Sequence, residues 1–282
     1  MPINLLSTAL SDATADLSHV SDTPRLDAEL LAAFALGITR GEMLLRMRDL
    51  ACPATFPLLL ARRMAHEPVA YITGTRAFWD LELAVTPSVL IPRADSEALI
   101  EAAQAAFAAR AAPDRILDLG TGSGALLLAA LSLFPAARGI GIDASEAALG
   151  VARGNAKHLG FAGRADMRRL SWHDPNWHAP LGDPFDLILC NPPYVEADAE
   201  LARQVREYEP HGALFAGHDG MDDYRILIPA LPQILSAGGV AIVEIGHMQA
   251  ELVGELAQVA GLSSQLTHDL SGNPRCLTMR RR

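Results

Sequence analysis

The sequence has few cysteines, and those it has are far apart. Cys52, Cys190 and Cys276 are its three cysteines, and none belongs to a CxxC pair. This spacing indicates neither a disulfide framework nor a zinc site, and it fits a reducing compartment. We therefore predict that the protein binds no metal.

The sequence also lacks long apolar runs and an excess of positive charge. No uncharged apolar segment approaches the ~20 residues of a membrane-spanning helix, and no charged segment followed by an apolar core opens the chain. The 33 acidic residues outnumber the 23 basic ones, which gives a net charge of -10. No overall field therefore attracts the chain to nucleic acid or to an anionic membrane. We expect a cytoplasmic protein with no direct nucleic-acid or membrane partner, and a monomer because nothing in the sequence requires otherwise.

The sequence has 282 residues, and 50% of them are apolar. This length and apolar content can form the core of one large domain, with or without a second, smaller domain. Residues 1–75 carry helical spacing in three segments, residues 4–17, 24–37 and 55–65, without a convincing strand. Residues 76–94 have the alternating apolar pattern of a β-hairpin, with strands at residues 78–85 and 89–91 and a turn at residues 86–88. We predict a small N-terminal helical domain (residues 1–75), a β-hairpin linker (76–94) and a larger domain (95–282).

The larger domain alternates apolar strands with helical segments, which predicts an α/β fold. Such alternation is typical of a doubly wound, mostly parallel sheet with right-handed crossovers. The predicted strands are residues 115–119, 138–142, 185–190 and 240–245, with a closing pair at 264–269 and 276–280. The predicted helices are residues 97–111, 125–134, 146–159, 222–235 and 249–260.

A glycine-rich turn follows the first of these strands. Its residues are Gly120, Thr121, Gly122, Ser123 and Gly124. Glycines let a ligand approach the backbone, and the N-terminus of the following helix favours negative or oxygen-rich groups. A tight strand-to-helix connection without a ligand is the alternative that the turn alone leaves open.

An acid supports the ligand-binding interpretation. Asp143 ends the second strand about 20 residues after the glycine turn, which is the spacing of an acid that accepts from ribose hydroxyls. Capping of the following helix is the alternative role, and Ser145 competes for it. Turn and acid together predict an adenosine-type ligand at the carboxyl edge of the sheet. The GxGxG pattern, rather than GxGxxG, favours S-adenosyl-L-methionine over NAD.

The tetrapeptide Asn191-Pro192-Pro193-Tyr194 follows the strand at residues 185–190. Because neither proline can donate a hydrogen bond, a strand that ends here leaves an amide side chain and free carbonyls at its carboxyl end. This is a site that can grip an NH2 group. An ordinary Pro-Pro turn is the alternative, but chance does not easily place it in register with the glycine turn and Asp143.

With these three elements together, the sequence resembles class I methyltransferases that act on planar NH2 nitrogens. Further matches extend the resemblance over nearly the whole chain to one branch, the HemK-type methyltransferases, which modify the glutamine of the Gly-Gly-Gln motif in peptide chain release factors. The matching stretches are residues 26–31, 67–74, 91–93, 208–210 and 244–246. The resemblance implies a Rossmann-like class I methyltransferase domain, S-adenosyl-L-methionine as cofactor and release factors as protein substrates.

The resemblance also implies roles for individual residues. Residues 120–124 would contact the methionine part of the cofactor, Asp143 its ribose and Trp172 its adenine. Residues 191–194 would bind the substrate glutamine. Within that tetrapeptide Asn191, Pro192 and Tyr194 would be catalytic, and Asn191 would also touch the cofactor. The family often has an aspartate before the tryptophan, where this chain has Ser171.

Two other functions remain as alternatives. An adenine-specific nucleic-acid methyltransferase could use the same tetrapeptide, because adenine carries an exocyclic NH2 group. The net charge of -10 and the lack of a recognisable basic target-recognition segment speak against it. A cofactor-binding protein without catalysis is less favoured, because every element that the chemistry needs is present. In the favoured reading, the helical domain is the docking surface for the release factor.

Overall fold

The computed structural model describes residues 5–269 and 271–282. Its helices are α1 (Leu6–Leu17), α2 (Pro24–Leu36), α3 (Arg40–Arg46), α4 (Phe56–Met64), α5 (Val69–Thr73), α6 (Glu97–Phe107), α7 (Ala125–Leu133), α8 (Glu146–His158), α9 (Arg203–Tyr208), α10 (Asp222–Ile234) and α11 (Ala250–Val259). Its strands are β1 (Thr75–Phe78), β2 (Leu81–Ala84), β3 (Arg115–Leu119), β4 (Arg138–Asp143), β5 (Ala165–Arg169), β6 (Phe185–Cys190), β7 (Leu235–Glu244), β8 (Leu262–His268) and β9 (Pro274–Arg281).

The chain divides into two compact units. One holds the residues up to Thr75 together with Leu201–Tyr208, and the other holds Arg76–Glu200 and Glu209–Arg282. The hairpin residues therefore group with the larger unit. The predicted three-part division into residues 1–75, 76–94 and 95–282 stays a prediction.

The smaller unit is helical, as the apolar spacing predicts. The three predicted helices correspond to α1, α2 and α4, while residue 4 lies outside the described residues. Helix α2 begins with Pro24 in its first turn and ends at Gly37, whose φ of 66° places it in the left-handed region. An ion pair between Arg63 and Asp27, 2.7 Å apart, is buried beside the apolar core of this unit. The short helices α3 and α5 were not predicted, because so few turns leave little periodicity to read.

The larger unit contains a seven-stranded sheet in the order β5-β4-β3-β6-β7-β9-β8. The first five strands in this order are parallel, and β9 runs antiparallel to both β7 and β8. Successive residues of β3 face opposite sides, with Ile116 in one buried cluster and Leu117 in the other. The predicted α/β fold is confirmed. Strand β5 was missed because it is a polar edge strand in which only Met167 is buried.

The predicted position of the hairpin turn is wrong. The two paired strands are β1 and β2, so the chain turns at Trp79 and Asp80, and Trp79 takes a left-handed φ of 56°. The predicted second strand, residues 89–91, is a loop in which Val89 N–H donates to the Thr86 carbonyl at 3.0 Å. Ile91 N–H donates to the Glu209 carboxylate at 3.2 Å instead of to a neighbouring strand.

The parallel register brings the strand ends together. Leu119 at the end of β3 pairs with Ile142 on one side and with Cys190 on the other, and Cys190 pairs with Val243. The residues that follow these positions therefore share one edge of the sheet. Within the described part of the chain, no helix combines the length and the apolar character that crossing a membrane requires.

Candidate active site

A cavity of about 510 Å³ opens at the carboxyl edge of the sheet, a size that suits a small-molecule ligand. Eight of the predicted site residues line it: Gly120, Thr121, Gly122, Ser123, Asp143, Trp172, Asn191 and Pro193. The structure also describes Gly124, Pro192 and Tyr194, but these three predicted residues do not line the cavity. The catalytic roles of Pro192 and Tyr194 and the cofactor contact of Gly124 therefore stay predictions.

The glycine turn needs glycine at all three positions. Gly120, Gly122 and Gly124 have φ values of 74°, 52° and 86°, in the left-handed region that side chains disfavour. A Cβ atom on Gly120 would lie 3.2 Å from the Trp172 ring, so its absence also lets the indole approach the backbone. Gly124 has a structural part, because it precedes α7 and leaves room for the side chain of Leu128.

The backbone of β4 holds this turn in place. The N–H groups of Gly120 and Thr121 both donate to the Ile142 carbonyl, at 3.0 and 2.9 Å. The Gly122 N–H donates to Asp143 Oδ2 at 3.0 Å. A hydrogen bond therefore joins the glycine turn to Asp143, the two elements that the sequence related by their spacing.

Asp143 is not the side-chain cap of α8. That cap is Ser145, whose hydroxyl oxygen accepts from Ala148 N–H at 3.2 Å, while Asp143 Oδ1 accepts from Ser145 N–H at 2.8 Å. Burial raises the pKa of Asp143, against the lowering effect of the N–H donors. The carboxylate offers about four lone-pair sites, and the backbone N–H groups of Gly122, Ala144 and Ser145 do not fill them, so Asp143 can still accept from a ligand hydroxyl.

Asp118, at the end of β3, was not predicted as a site residue. Its Oδ2 accepts from the Thr121 hydroxyl at 2.6 Å, whereas Oδ1 is buried with no hydrogen-bond partner among the described residues. Burial raises the pKa of this carboxyl to about 7. Because Asp118 lines the cavity, a cationic ligand group could supply the missing donor. The amino-acid part of S-adenosyl-L-methionine carries such an ammonium group, so the residues present fit that cofactor. The sequence signal was a carboxylate inside an otherwise apolar strand.

A second unpredicted acid orients Trp172. Asp223, buried on α10, accepts from the indole N–H of Trp172 at 2.5 Å, and His173 Nε2 lies 3.1 Å from the same oxygen. Trp172, His173 and Asp223 all line the cavity. The indole is therefore held at its polar edge, which leaves its faces for packing against a flat group.

Asn191 is held by a residue that lies far away in the sequence. Its Nδ2 donates to the hydroxyl oxygen of Ser96 at 3.3 Å, and Ser96 is buried in the 3-10 turn Ala94–Ser96. The carboxamide oxygen of Asn191 is thereby left for a ligand in the cavity.

Tyr194 is fixed at both ends. Its hydroxyl donates to Glu244 Oε1 at 3.3 Å, and its carbonyl accepts from Gln249 Nε2 at 3.1 Å. Glu244, the last residue of β7, is buried, which raises its pKa to about 7. Neither Glu244 nor Ser96 was predicted as part of the site.

An ion pair joins two of the stretches that carried the resemblance. Arg93, in the cavity wall, lies 2.5 Å from Glu209 Oε1, and the other oxygen of this buried carboxylate accepts from Ile91 N–H. Glu209 thus fixes the loop that leads into α6.

Comparison with protein families gives two matches. Residues 8–74 match the PrmC N-terminal domain, and residues 112–264 match a methyltransferase domain. The second match covers more than half of the chain.

Curated relatives match over most of their length. A protein of Rhodospirillum rubrum named release factor glutamine methyltransferase is 43% identical over 267 residues, which are 93% of this chain and 80% of that protein. Proteins of the same name from Bradyrhizobium diazoefficiens and Bordetella pertussis are each 41% identical. These matches cover 91% and 94% of this chain, and 88% and 96% of those proteins.

A solved structure resembles the chain in fold. The crystal structure of a methyltransferase from Pyrococcus furiosus aligns with a TM-score of 0.51 at 17% sequence identity, covering 78% of this chain and 95% of that one. At this identity the likeness supports the class I methyltransferase fold and nothing finer.

Proposed function

The chain belongs to the release factor glutamine methyltransferases, which use S-adenosylmethionine, and on that premise we propose that residues 191–194 hold the substrate glutamine. The enzyme methylates the side-chain amide of a glutamine in release factors. We place that glutamine in the Gly-Gly-Gln motif. The supporting observation is that Asn191 lies in the same cavity wall as the glycine turn and Asp143, with its Nδ2 engaged and its oxygen left for a ligand.

The chemistry requires help because a carboxamide nitrogen is a weak nucleophile, its lone pair being delocalised into the carbonyl group. Asn191 Oδ1 and the Pro192 carbonyl each accept one N–H of the substrate amide, which fixes the nitrogen in the direction of the methyl group. Pro193, which lines the cavity, borders the plane of that amide. The proton that the nitrogen gives up leaves to water.

The residues of the other wall would hold the cofactor, which would supply the methyl group when bound. Asp118 Oδ1 would accept from its ammonium group, Asp143 would accept from its ribose hydroxyls, and Trp172 would pack against its adenine. The buried, unpartnered oxygen of Asp118 supports this orientation, because a bound cation would relieve the cost of burying it.

The helical unit is the docking surface for the release factor. It exposes large apolar side chains, among them Leu45, Leu58 and Phe34, which are 89%, 69% and 48% exposed. Exposed apolar groups of this size favour contact with another protein. The release factor is therefore recognised by residues that do not line the cavity in which the methyl group is transferred.

The test is Asn191→Ala, assayed on a purified release factor. This change removes one oriented acceptor and keeps both prolines, so we expect kcat to fall by about 100- to 1,000-fold. Affinity for S-adenosylhomocysteine, measured by calorimetry, should change much less. The mass of the Gly-Gly-Gln peptide should increase by one methyl group with wild-type enzyme and hardly at all with the variant.

Two results would overturn the proposal. One is an Asn191→Ala enzyme with wild-type single-turnover rates. The other is a methyl group found on a residue other than the glutamine of the Gly-Gly-Gln motif.

A further inference from the structure

Asp223 is a third carboxylate in the cavity wall, beside Asp118 and Asp143. In the proposed function, Asp118 pairs with the ammonium group of the cofactor and Asp143 with its ribose hydroxyls. The adenine carries a further donor, its exocyclic NH2 group. We propose that Asp223 accepts a hydrogen bond from this NH2 group and so selects adenine over a base with a carbonyl oxygen at that position. This inference rests on the proposed packing of the adenine against Trp172.

Asp223 lies at one end of the Trp172 indole. Its Oδ1 accepts from the indole N–H at 2.5 Å. At the other end of the ring, the carbon atoms Cη2 and Cζ3 lie over Gly120, where a Cβ atom would be 3.2 and 3.5 Å from them. The indole is therefore held along its length, between the glycine turn and Asp223. A flat base that packs against this ring brings one of its edges close to the carboxylate.

The hydrogen bonds within the protein fill one oxygen of Asp223 and leave the other free. His173 Nε2 lies 3.1 Å from Oδ1, and because a carboxylate cannot donate, this nitrogen must carry the proton. Oδ1 thus accepts twice, from Trp172 and from His173, which uses both of its lone pairs. No described residue donates to Oδ2. Oδ2 is therefore the acceptor that Asp223 can offer to a ligand.

This free oxygen opens onto the cavity. Asp223 is almost completely buried, yet the described side-chain atoms that are buried without a partner are Asp118 Oδ1 and Glu244 Oε2. Oδ2 of Asp223 is not one of them, so the small exposed part of this residue includes Oδ2 and faces the cavity that the residue lines. Little water competes for an acceptor in such a place, which strengthens a bond to a ligand donor.

Ser171 does not supply the same selectivity. It lines the cavity next to Trp172, and its hydroxyl oxygen accepts from His173 N–H at 3.3 Å. A hydroxyl group can donate as well as accept, so it tolerates either an NH2 group or a carbonyl oxygen on the base. A carboxylate only accepts, so it rejects the carbonyl oxygen. Of these two residues, Asp223 is the one that can distinguish the bases.

The same proton count predicts that Asp223→Asn reverses the preference. The indole of Trp172 can only donate, and His173 Nε2 donates to the same position, so the carboxamide oxygen of the variant must take the place of Oδ1. Its NH2 group then takes the place of Oδ2. That group repels the adenine NH2 and binds a carbonyl oxygen. Because Trp172 keeps its hydrogen bond, the surface on which the base packs should be preserved.

The experiment titrates the full chain with two ligands by calorimetry. One is S-adenosylhomocysteine, and the other is S-inosylhomocysteine, which has a carbonyl oxygen in place of the exocyclic NH2 group. Wild type should bind S-inosylhomocysteine roughly 10- to 100-fold more weakly, the value of a charge-assisted hydrogen bond. Asp223→Asn should bind S-inosylhomocysteine at least as tightly as S-adenosylhomocysteine. A loss of stability alone would weaken both ligands and could not reverse their order.

The matched control is Asp222→Asn. Asp222 precedes Asp223 on α10 but does not line the cavity, and its exposed side chain lies 3.1 Å from Arg225. This variant should keep the wild-type preference for S-adenosylhomocysteine. Trp172→Ala should weaken both ligands, because it removes the surface on which either base packs.

Equal wild-type affinities for the two ligands would overturn the contact with Asp223, and so would an Asp223→Asn protein that keeps the wild-type preference. Trp172→Ala tests the premise separately. Unchanged affinity of that variant for S-adenosylhomocysteine would overturn the placement of the adenine in the proposed function.

Discussion

The unpartnered oxygen of Asp118 makes a prediction about cofactor binding. If Oδ1 accepts from the ammonium group of the cofactor, Asp118→Asn should weaken the binding of S-adenosylhomocysteine by about 1.5–3 kcal/mol, the value of a charge-assisted hydrogen bond. This corresponds to roughly 10- to 100-fold in Kd. The Asn oxygen can still accept from the Thr121 hydroxyl, as Asp118 Oδ2 does at 2.6 Å, so the glycine turn should be preserved.

The affinity for the cofactor should depend on pH in a direction that follows from the pKa of Asp118. Burial and the charge of Asp143 raise the pKa of Asp118 to about 7, against the Thr121 hydroxyl and the Leu127 N–H. Below that pH the carboxyl group holds a proton, which the ammonium group must displace. Each pH unit below 7 should therefore weaken binding by up to about tenfold, or 1.36 kcal/mol. In Asp118→Asn this contribution should vanish.

Unfolding measurements check the same carboxyl group independently. Because its folded pKa lies above the ordinary value of 3.8, its contribution to stability is fully present below about pH 4 and is lost as the pH rises through about 7. The shift of about three units is worth up to about 4 kcal/mol. Asp118→Asn should therefore be the more stable protein at pH 8. The binding of S-adenosylhomocysteine is measured by calorimetric titration across the same pH range. An unchanged Kd in Asp118→Asn, together with a wild-type Kd that does not depend on pH, would refute the role assigned to Asp118.

Two further predictions concern the ribose contact and the helical unit. Asp143→Ala should weaken the binding of S-adenosylhomocysteine by about 1.5–3 kcal/mol in a calorimetric titration, because it removes the acceptor for two hydroxyls. Unchanged affinity would mean that Asp143 serves only to hold Gly122 and Ser145. Deletion of residues 1–75 should leave a protein that binds the cofactor but barely methylates an intact release factor. Near-normal turnover of the folded fragment would contradict the docking role.

The sequence predicted those site residues that lie at, or directly after, the end of a predicted strand. The glycine turn, Asp143 and Asn191 each come after an apolar run, and parallel strands bring their carboxyl ends to one edge. Ser96 and Asp223 could not be found in this way, because neither lies at the end of a strand and each is far along the chain from its partner, Asn191 or Trp172. Only the tertiary fold makes them neighbours. Glu244 does end a strand, β7, and it carries the same signal as Asp118, a carboxylate in an apolar run.

The hairpin failed for a different reason. Residues 86–88 have the composition of a turn, and they do form one, with Val89 N–H bonded to the Thr86 carbonyl. The strands, however, pair across Trp79, which takes a left-handed φ that its residue type does not predict. Instead of pairing with a strand, the segment at residues 89–91 is held by a hydrogen bond from Ile91 N–H to the Glu209 carboxylate. A tertiary contact therefore overrode a local pattern.

The two unpartnered buried oxygens explain why this edge of the sheet is a site and not only a well-packed turn. Among the described residues, Asp118 Oδ1 and Glu244 Oε2 are the buried side-chain atoms without a hydrogen-bond partner. Glu244 is the last residue of β7, and Asp118 is the last but one of β3. Burying such groups costs folding free energy that a purely structural edge would avoid with apolar residues. Asp118 lines the cavity, where the ammonium group of the cofactor would partner its free oxygen, and Glu244 accepts from the hydroxyl of Tyr194, the last residue of the proposed substrate-binding tetrapeptide. In the proposed assignment, cofactor binding therefore offsets part of the cost of burying Asp118.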